Sequence, residues 1–206
     1  MSDKKRALAE LEKEIKSDQA LPLFGQANLV FGEGNSEADV MFIGEAPGFH
    51  EDRLSRPFVG RAGQLLDKLL VAIKWPRPSV YITNIVKRRP PENRDPLPEE
   101  ISAYKPYLDR QIKIINPKII AALGRFAMNY FLPDAKISKD HGRAQYAGDY
   151  LILPLYHPAA ALRSTQVLKD LEADFKKLPE ILKNPPPKPP PKPKKEEETQ
   201  KQESLF

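Results

Sequence analysis

Not one cysteine occurs in the 206 residues, which excludes disulfides, thiolate metal sites and a cysteine nucleophile. No apolar run reaches the length of a bilayer span, and the start, Met1-Ser2-Asp3-Lys4-Lys5, lacks the apolar core of a signal peptide. A cytoplasmic protein without membrane contact is expected. Nor is there a Gly-Lys-Ser/Thr loop to cradle a nucleotide phosphate, which argues against an ordinary nucleotide-binding α/β protein. Excess charge of one sign is small: 33 Lys and Arg stand against 28 Asp and Glu, a net +5, which points only weakly to a polyanionic partner.

What is present is a chain long enough for one full core. Leu8, Leu11 and Ile15 recur at helical spacing within residues 4–16. Four apolar runs read as strands: 38–43, 79–86, 117–123 and 150–155. Between and after them, helices are expected over 65–75, 97–115 and 167–183, the first stopped by Pro76 and Pro78. Strands alternating with helices predict an α/β three-layer sandwich around a central, mainly parallel four-stranded sheet. Residues 1–183 form that unit in this reading, and 184–206 a separate tail.

Polar residues collect where the strands end. The first run breaks at Gly44-Glu45-Ala46-Pro47-Gly48, the second at Thr83-Asn84, the third at Gly124-Arg125 and the fourth at Tyr156-His157-Pro158. In parallel sheets ligands bind beyond the carboxyl ends of the strands, so Glu45, Asn84, Arg125 and His157 are expected in one crevice. Taken singly, an Asn at a strand end caps a turn and a His before Pro is an ordinary loop residue; agreement among the ends is what argues for a site.

The blocks Gly44-Glu45-Ala46-Pro47-Gly48 with Glu51-Asp52, Arg56-Pro57-Phe58-Val59-Gly60-Arg61-Ala62-Gly63, Tyr81-Ile82-Thr83-Asn84 with Lys87, Arg89-Pro90-Pro91-Glu92-Asn93-Arg94-Asp95-Pro96, and His157-Pro158 occur in one order along the chain. In this the sequence resembles the uracil-DNA glycosylase superfamily, most closely its family 4, over about residues 17–165. The resemblance implies hydrolytic removal of uracil from DNA after the nucleotide is flipped out. It assigns Glu45 and His157 to catalysis, and Ala46, Glu51, Phe58 and Asn84 to the base. Phe58 would stack on uracil, Asn84 would read its edge, and His157 would donate to O2. Glu45 would handle the attacking water, although family 1 carries its acid one residue later, at the position of Ala46. Glu51 would either share that work or exclude the thymine methyl group. Lys87, Arg89, Arg94 and Arg163 would touch phosphates, and Leu162 would fill the vacated stack. The family's four-iron cluster needs four cysteines, and the matching positions are Ser17, Ala20, Arg88 and Tyr104. No metal and no cofactor is therefore expected. The competing reading is a uracil- or single-strand-binding module that has lost catalysis along with the cluster. A covalent variant of the superfamily traps its product with an inserted His, and none occurs between Lys87 and Arg94.

From Asn184 the composition changes to Pro-Pro-Pro-Lys-Pro-Pro-Pro-Lys-Pro-Lys-Lys and then Glu-Glu-Glu, the signature of an extended, disordered linker. It ends in Gln202-Glu203-Ser204-Leu205-Phe206, which looks like the peptide by which bacterial repair proteins bind the sliding clamp, with Gln202, Leu205 and Phe206 as anchors. A monomer tethered to the clamp is expected, its linker of about 18 residues spanning roughly 3.1 Å each. Deleting 202–206 is predicted to abolish association with a bacterial sliding clamp in a calorimetric titration and to leave activity on short DNA unchanged. Equal clamp binding by both forms contradicts this.

Overall fold

The structure is a computed structural model and describes residues 2–190, so Gln202, Leu205 and Phe206 lie outside the described residues. Helix α1 (Asp3–Ser17) starts where the Ser2 hydroxyl accepts from the Lys5 amide, and it buries Leu8, Leu11 and Ile15 as its spacing predicts. A short strand β1 (Glu33–Gly34) precedes β2 (Val40–Gly44), α2 (Phe49–Leu54) and α3 (Arg61–Ala72). Then come β3 (Tyr81–Asn84), α4 (Pro98–Ile115), β4 (Ile119–Leu123), α5 (Gly124–Phe131) and α6 (Ile137–Asp140). The described chain closes with β5 (Gln145–Ala147), β6 (Tyr150–Leu155), α7 (Pro158–Ala161) and α8 (Thr165–Lys183).

The sheet has six strands in the order β1-β3-β2-β4-β6-β5 rather than four. The four expected strands form its parallel centre, and β1 and β5 add antiparallel edges. Neither edge strand could announce itself through hydrophobic pattern: β1 is Glu-Gly, and β5 is half-buried throughout. The central strands are continuous apolar runs because both faces are covered. Met41 and Ile43 of β2 point to one side, packing with α1 and α4 residues such as Leu11, Leu108 and Ile112. Val40 and Phe42 point to the other, with Leu66 and Leu70 of α3 and Phe175 and Leu178 of α8. Phe42 and Phe175 stack at 5.7 Å between ring centroids. No helix among the described residues is long and apolar enough to cross a membrane. Beyond α8, residues 185–190 run without helix or strand beside β5, where the Tyr146 hydroxyl donates to the Pro186 carbonyl at 3.2 Å.

An aromatic and polar cluster ties the loop after α1 to the loop after β3 and to α4. Tyr104, fully buried on α4, donates its hydroxyl to the Pro22 carbonyl at 2.6 Å and accepts from the Arg88 guanidinium at 3.2 Å. Arg88, 3% exposed, also lies over the Phe24 ring at 5.1 Å. Close by, the Tyr107 hydroxyl donates to Asp18 at 2.6 Å. Arg88 and Tyr104 stand at two of the positions that the resemblance assigns to an iron cluster, and Ser17 caps its own helix by donating to the Glu14 carbonyl. A cation, a phenol, a hydroxyl and a methyl group supply no thiolate, so these residues do not fit an iron–sulfur cluster. Tyr104→Phe leaves a buried carbonyl and guanidinium without the bridging hydroxyl, and is predicted to lower stability by about 1–3 kcal/mol in urea denaturation. A midpoint unchanged from the wild type contradicts this role.

Candidate active site

Parallel register sets Gly44 of β2 directly beside Asn84 of β3. A side chain at Gly44 would not fit: a Cβ there would lie 2.5 Å from the Asn84 Oδ1 and 2.5 Å from the Phe58 Cζ. Glycine thus lets an amide and an aromatic ring close on one point. Asn84 is 2% exposed, and its Oδ1 is the one buried side-chain polar atom among the described residues with no hydrogen-bond partner in the protein. An orphaned acceptor at a pocket wall costs stability unless water or a ligand supplies the donor.

Phe58 has a φ of +50°, a conformation that costs a non-glycine residue, so the surroundings must hold it. They do so from three sides. The Glu51 Oε1 accepts from the amides of Val59 at 2.8 Å and Gly60 at 2.7 Å. Arg77 donates to the carbonyls of Pro57 at 2.5 Å and Phe58 at 3.2 Å, and its guanidinium is anchored by Glu33 and Asp67. Gly63 at the start of α3 comes so near that a Cβ would lie 1.8 Å from the Phe58 carbonyl oxygen. The ring so placed stacks on His157, with centroids 5.6 Å apart and planes at 30°.

His157 caps α7: its Nδ1 accepts from the Ala159 amide at 3.1 Å. A nitrogen that accepts carries no proton, so the neutral ring bears its proton on Nε2 and has a donor to offer. Burial, reinforced by Arg163 and opposed by Glu51, lowers its pKa to about 4, which keeps it uncharged near neutrality. Glu45, in the turn after β2, is pushed the other way. Burial first, then the Asp95 carboxylate, raises its pKa to about 7 against the pull of Arg125. Arg125 and Asp95 are themselves an ion pair.

These groups line a cleft of about 770 Å³, a size that suits a small-molecule or single-base ligand. Of the sequence-predicted residues, Glu45, Ala46, Glu51, Phe58, Asn84, Arg94, His157 and Arg163 line it. Arg89, Leu162 and Lys87 do not. Arg89 donates to the Asn93 side chain at 2.7 Å and lies over the exposed Phe49 ring at 5.3 Å, while Leu162, 43% exposed, ends α7. Arg94 is committed to a two-pronged pair with Glu100, at 2.6 and 2.9 Å. Lys87 corrects the expectation of a phosphate contact: it is fully buried, its Nζ enclosed by oxygens of Thr83, Asn84 and Gln111. Asn93, Asp95 and Tyr156 line the cleft without having been assigned to it from sequence, and Arg125, expected in the crevice from its strand end, lines it too. Arg77 was missed as well. Its partners lie 10 to 44 residues away along the chain, so no local pattern marks it.

The family model of the uracil DNA glycosylase superfamily matches residues 31–183. A type-4 uracil-DNA glycosylase of Saccharolobus solfataricus is 48% identical over 184 residues, covering 84% of this chain and 85% of that protein. One of Sulfurisphaera tokodaii is 44% identical over 191 residues, covering 87% and 86%. A type-5 uracil-DNA glycosylase of Pyrobaculum aerophilum is 30% identical over 144 residues, covering 61% and 63%. The chain belongs to the uracil-DNA glycosylase superfamily.

The two shifted groups have opposite linkage to stability. The Glu45 pKa is raised from 4.5 to about 7, so the fold prefers its protonated form; that contribution is full below 4.5 and lost as pH rises through about 7. The His157 pKa is lowered from 6.5 to about 4, so its contribution is full above 6.5 and lost as pH falls through about 4. Carbon-13 NMR of glutamate-labelled protein is predicted to show one carboxyl titrating near pH 7 that vanishes in Glu45→Gln. A glutamate set titrating wholly below pH 5.5 contradicts the burial argument.

Proposed function

We propose that this protein removes uracil from DNA by hydrolysing the bond between base and sugar, leaving an abasic site. The observation that carries this reading is the unpartnered Oδ1 of Asn84 at the wall of the cleft. Oδ1 accepts from N3–H of uracil while the Asn84 amide nitrogen donates to O4; cytosine presents the opposite pattern and leaves both groups unpaired. The type-4 relatives support the same substrate by their names.

Reaching the base requires flipping the nucleotide, at a cost of a few kcal/mol, and Phe58 offers the stacking face that receives it. As the bond between C1′ and N1 breaks, its electron pair moves onto the base and gathers at O2, while positive charge grows on the sugar. A neutral His157 donating Nε2–H to O2 stabilises that charge without giving up a proton from a strong acid. Glu45, its pKa raised to about 7, orients in its ionised form the water that attacks C1′, takes its proton, and offsets the cationic sugar. Glu51 in this scheme holds the Phe58 loop through Val59 and Gly60 rather than meeting water. Arg163 and Arg125, both on the cleft wall, supply positive charge for flanking phosphates. Residues 1–183 act as the catalytic unit, a cytoplasmic monomer, and 184–206 as a linker to the sliding clamp.

The test is single-turnover cleavage of a uracil-containing oligonucleotide by protein prepared without added metal and treated with a chelator. Efficient excision is expected, with no visible iron absorbance. His157→Ala is predicted to lower the rate about 10²–10³-fold while affinity for abasic-site DNA stays within about twofold, because an oxyanion donor acts in the transition state. Absence of excision at high enzyme concentration sinks the reading, and near-full activity of the variant sinks the role of His157.

A further inference from the structure

Lys87 is the largest fully buried charged side chain of the described residues and takes no part in the chemistry above. It lies three residues beyond Asn84, under the end of β3. Its Nζ donates to the Thr83 Oγ1 at 2.6 Å, the Asn84 carbonyl at 2.7 Å and the Gln111 Oε1 at 2.5 Å. None of these is a carboxylate.

Each partner can only accept. The Thr83 hydroxyl spends its proton on the Phe31 carbonyl at 2.8 Å. Gln111 has its amide nitrogen directed at the same carbonyl, at 3.0 Å, which turns Oε1 toward Lys87. The Asn84 carbonyl has no proton to give. A neutral amine has two N–H groups and a lone pair, so it would leave one of these oxygens facing that lone pair. Three acceptors around one nitrogen therefore call for an ammonium. Burial lowers the Lys87 pKa well below the ordinary lysine value, and the three oxygens oppose that by holding the third proton in place. The outcome is a positive charge inside the fold, bonded to the peptide of Asn84 and braced by α4 through Gln111.

We propose that Lys87 is a positioning residue for base recognition: its buried ammonium fixes the Asn84 carbonyl, and with it the side chain that reads uracil. The inference rests on the reading that Asn84 contacts the base. The backbone around Asn84 is held to β2, where the Ile85 amide donates to the Gly44 carbonyl at 3.0 Å, but the Asn84 side chain has no protein partner at Oδ1 to steady it. Steadying must come through the backbone, and Lys87 joins that backbone to Thr83 and to α4. The same cation lies one hydrogen bond from the Asn84 peptide, where a positive charge favours a base that becomes anionic as it leaves.

The experiment compares wild type with Lys87→Met, which keeps length and removes the donors. Three quantities are measured: single-turnover excision rate, inhibition by free uracil, and affinity for abasic-site DNA across a salt series. The expected result is a rate lower by about tenfold or more, the kinetic equivalent of one charge-assisted hydrogen bond, with weaker inhibition by uracil. Affinity for abasic DNA and its salt slope stay as in the wild type, because no phosphate contact is lost. A folded variant with wild-type rate and uracil inhibition overturns the proposal. So does a drop in abasic-DNA affinity with a shallower salt slope, which returns Lys87 to the phosphates. Should Lys87→Met fail to fold, Thr83→Val, which removes one acceptor, is measured in its place; a rate reduced about threefold or more with unchanged abasic-DNA affinity supports the proposal, and a wild-type rate overturns it. A wild type that excises no uracil fails the functional reading itself, whereas an active wild type beside an equally active Lys87→Met fails only this inference.

Discussion

Two parallel strands end side by side, one in Gly44 and the other in Asn84, and the space that a Cβ would have taken at Gly44 is shared by the Asn84 amide and the edge of the Phe58 ring. Most of the site follows from that constraint. The ring must reach over the strand ends, so the chain at Phe58 adopts a positive φ, and this in turn needs Glu51, Arg77 and the close approach of α3 at Gly63. His157 then completes the enclosure from the end of β6 by stacking on the ring. The polar acceptor at the centre is left without a partner in the protein.

Charge is handled differently in the two layers of the site. At the cleft wall, burial drives both titratable groups toward neutrality, Glu45 upward to about 7 and His157 downward to about 4. In the proposed reaction, a neutral histidine donor lets negative charge arise on the leaving base without a proton already in transit. Beneath the wall, burial also lowers the Lys87 pKa, and there the three surrounding oxygens oppose it by favouring the ammonium. The cation is screened from water by the same core that packs β3 against α4.

Most of this architecture was legible in the sequence. The apolar run of β6 was read with its observed bounds, Tyr150–Leu155, and the strand ends that gather Glu45, Asn84 and His157 were read as one crevice. What escaped shares a cause. Helix α2 buries no residue and follows a Gly-Pro cluster, so periodicity could not reveal it. Strands β1 and β5 are too short and too polar at the edges to carry a pattern. Lys87 stands in the run Lys87-Arg88-Arg89, which reads as a solvated patch, yet two of its three residues are buried against partners far along the chain: Gln111 for Lys87, and Phe24 and Tyr104 for Arg88. Local sequence records which side chains are charged; it does not record which distant acceptors will enclose them.

The account turns on Asn84 meeting the base edge inside the cleft. A crystal structure of the protein with an oligonucleotide carrying an uncleavable 2′-fluoro-deoxyuridine tests this directly. It should show uracil flipped onto Phe58, with the Asn84 Oδ1 about 2.7–3.2 Å from N3 and the His157 Nε2 facing O2. A base bound outside the cleft, or an Asn84 side chain with Oδ1 still unpartnered beside a bound uracil, would contradict it.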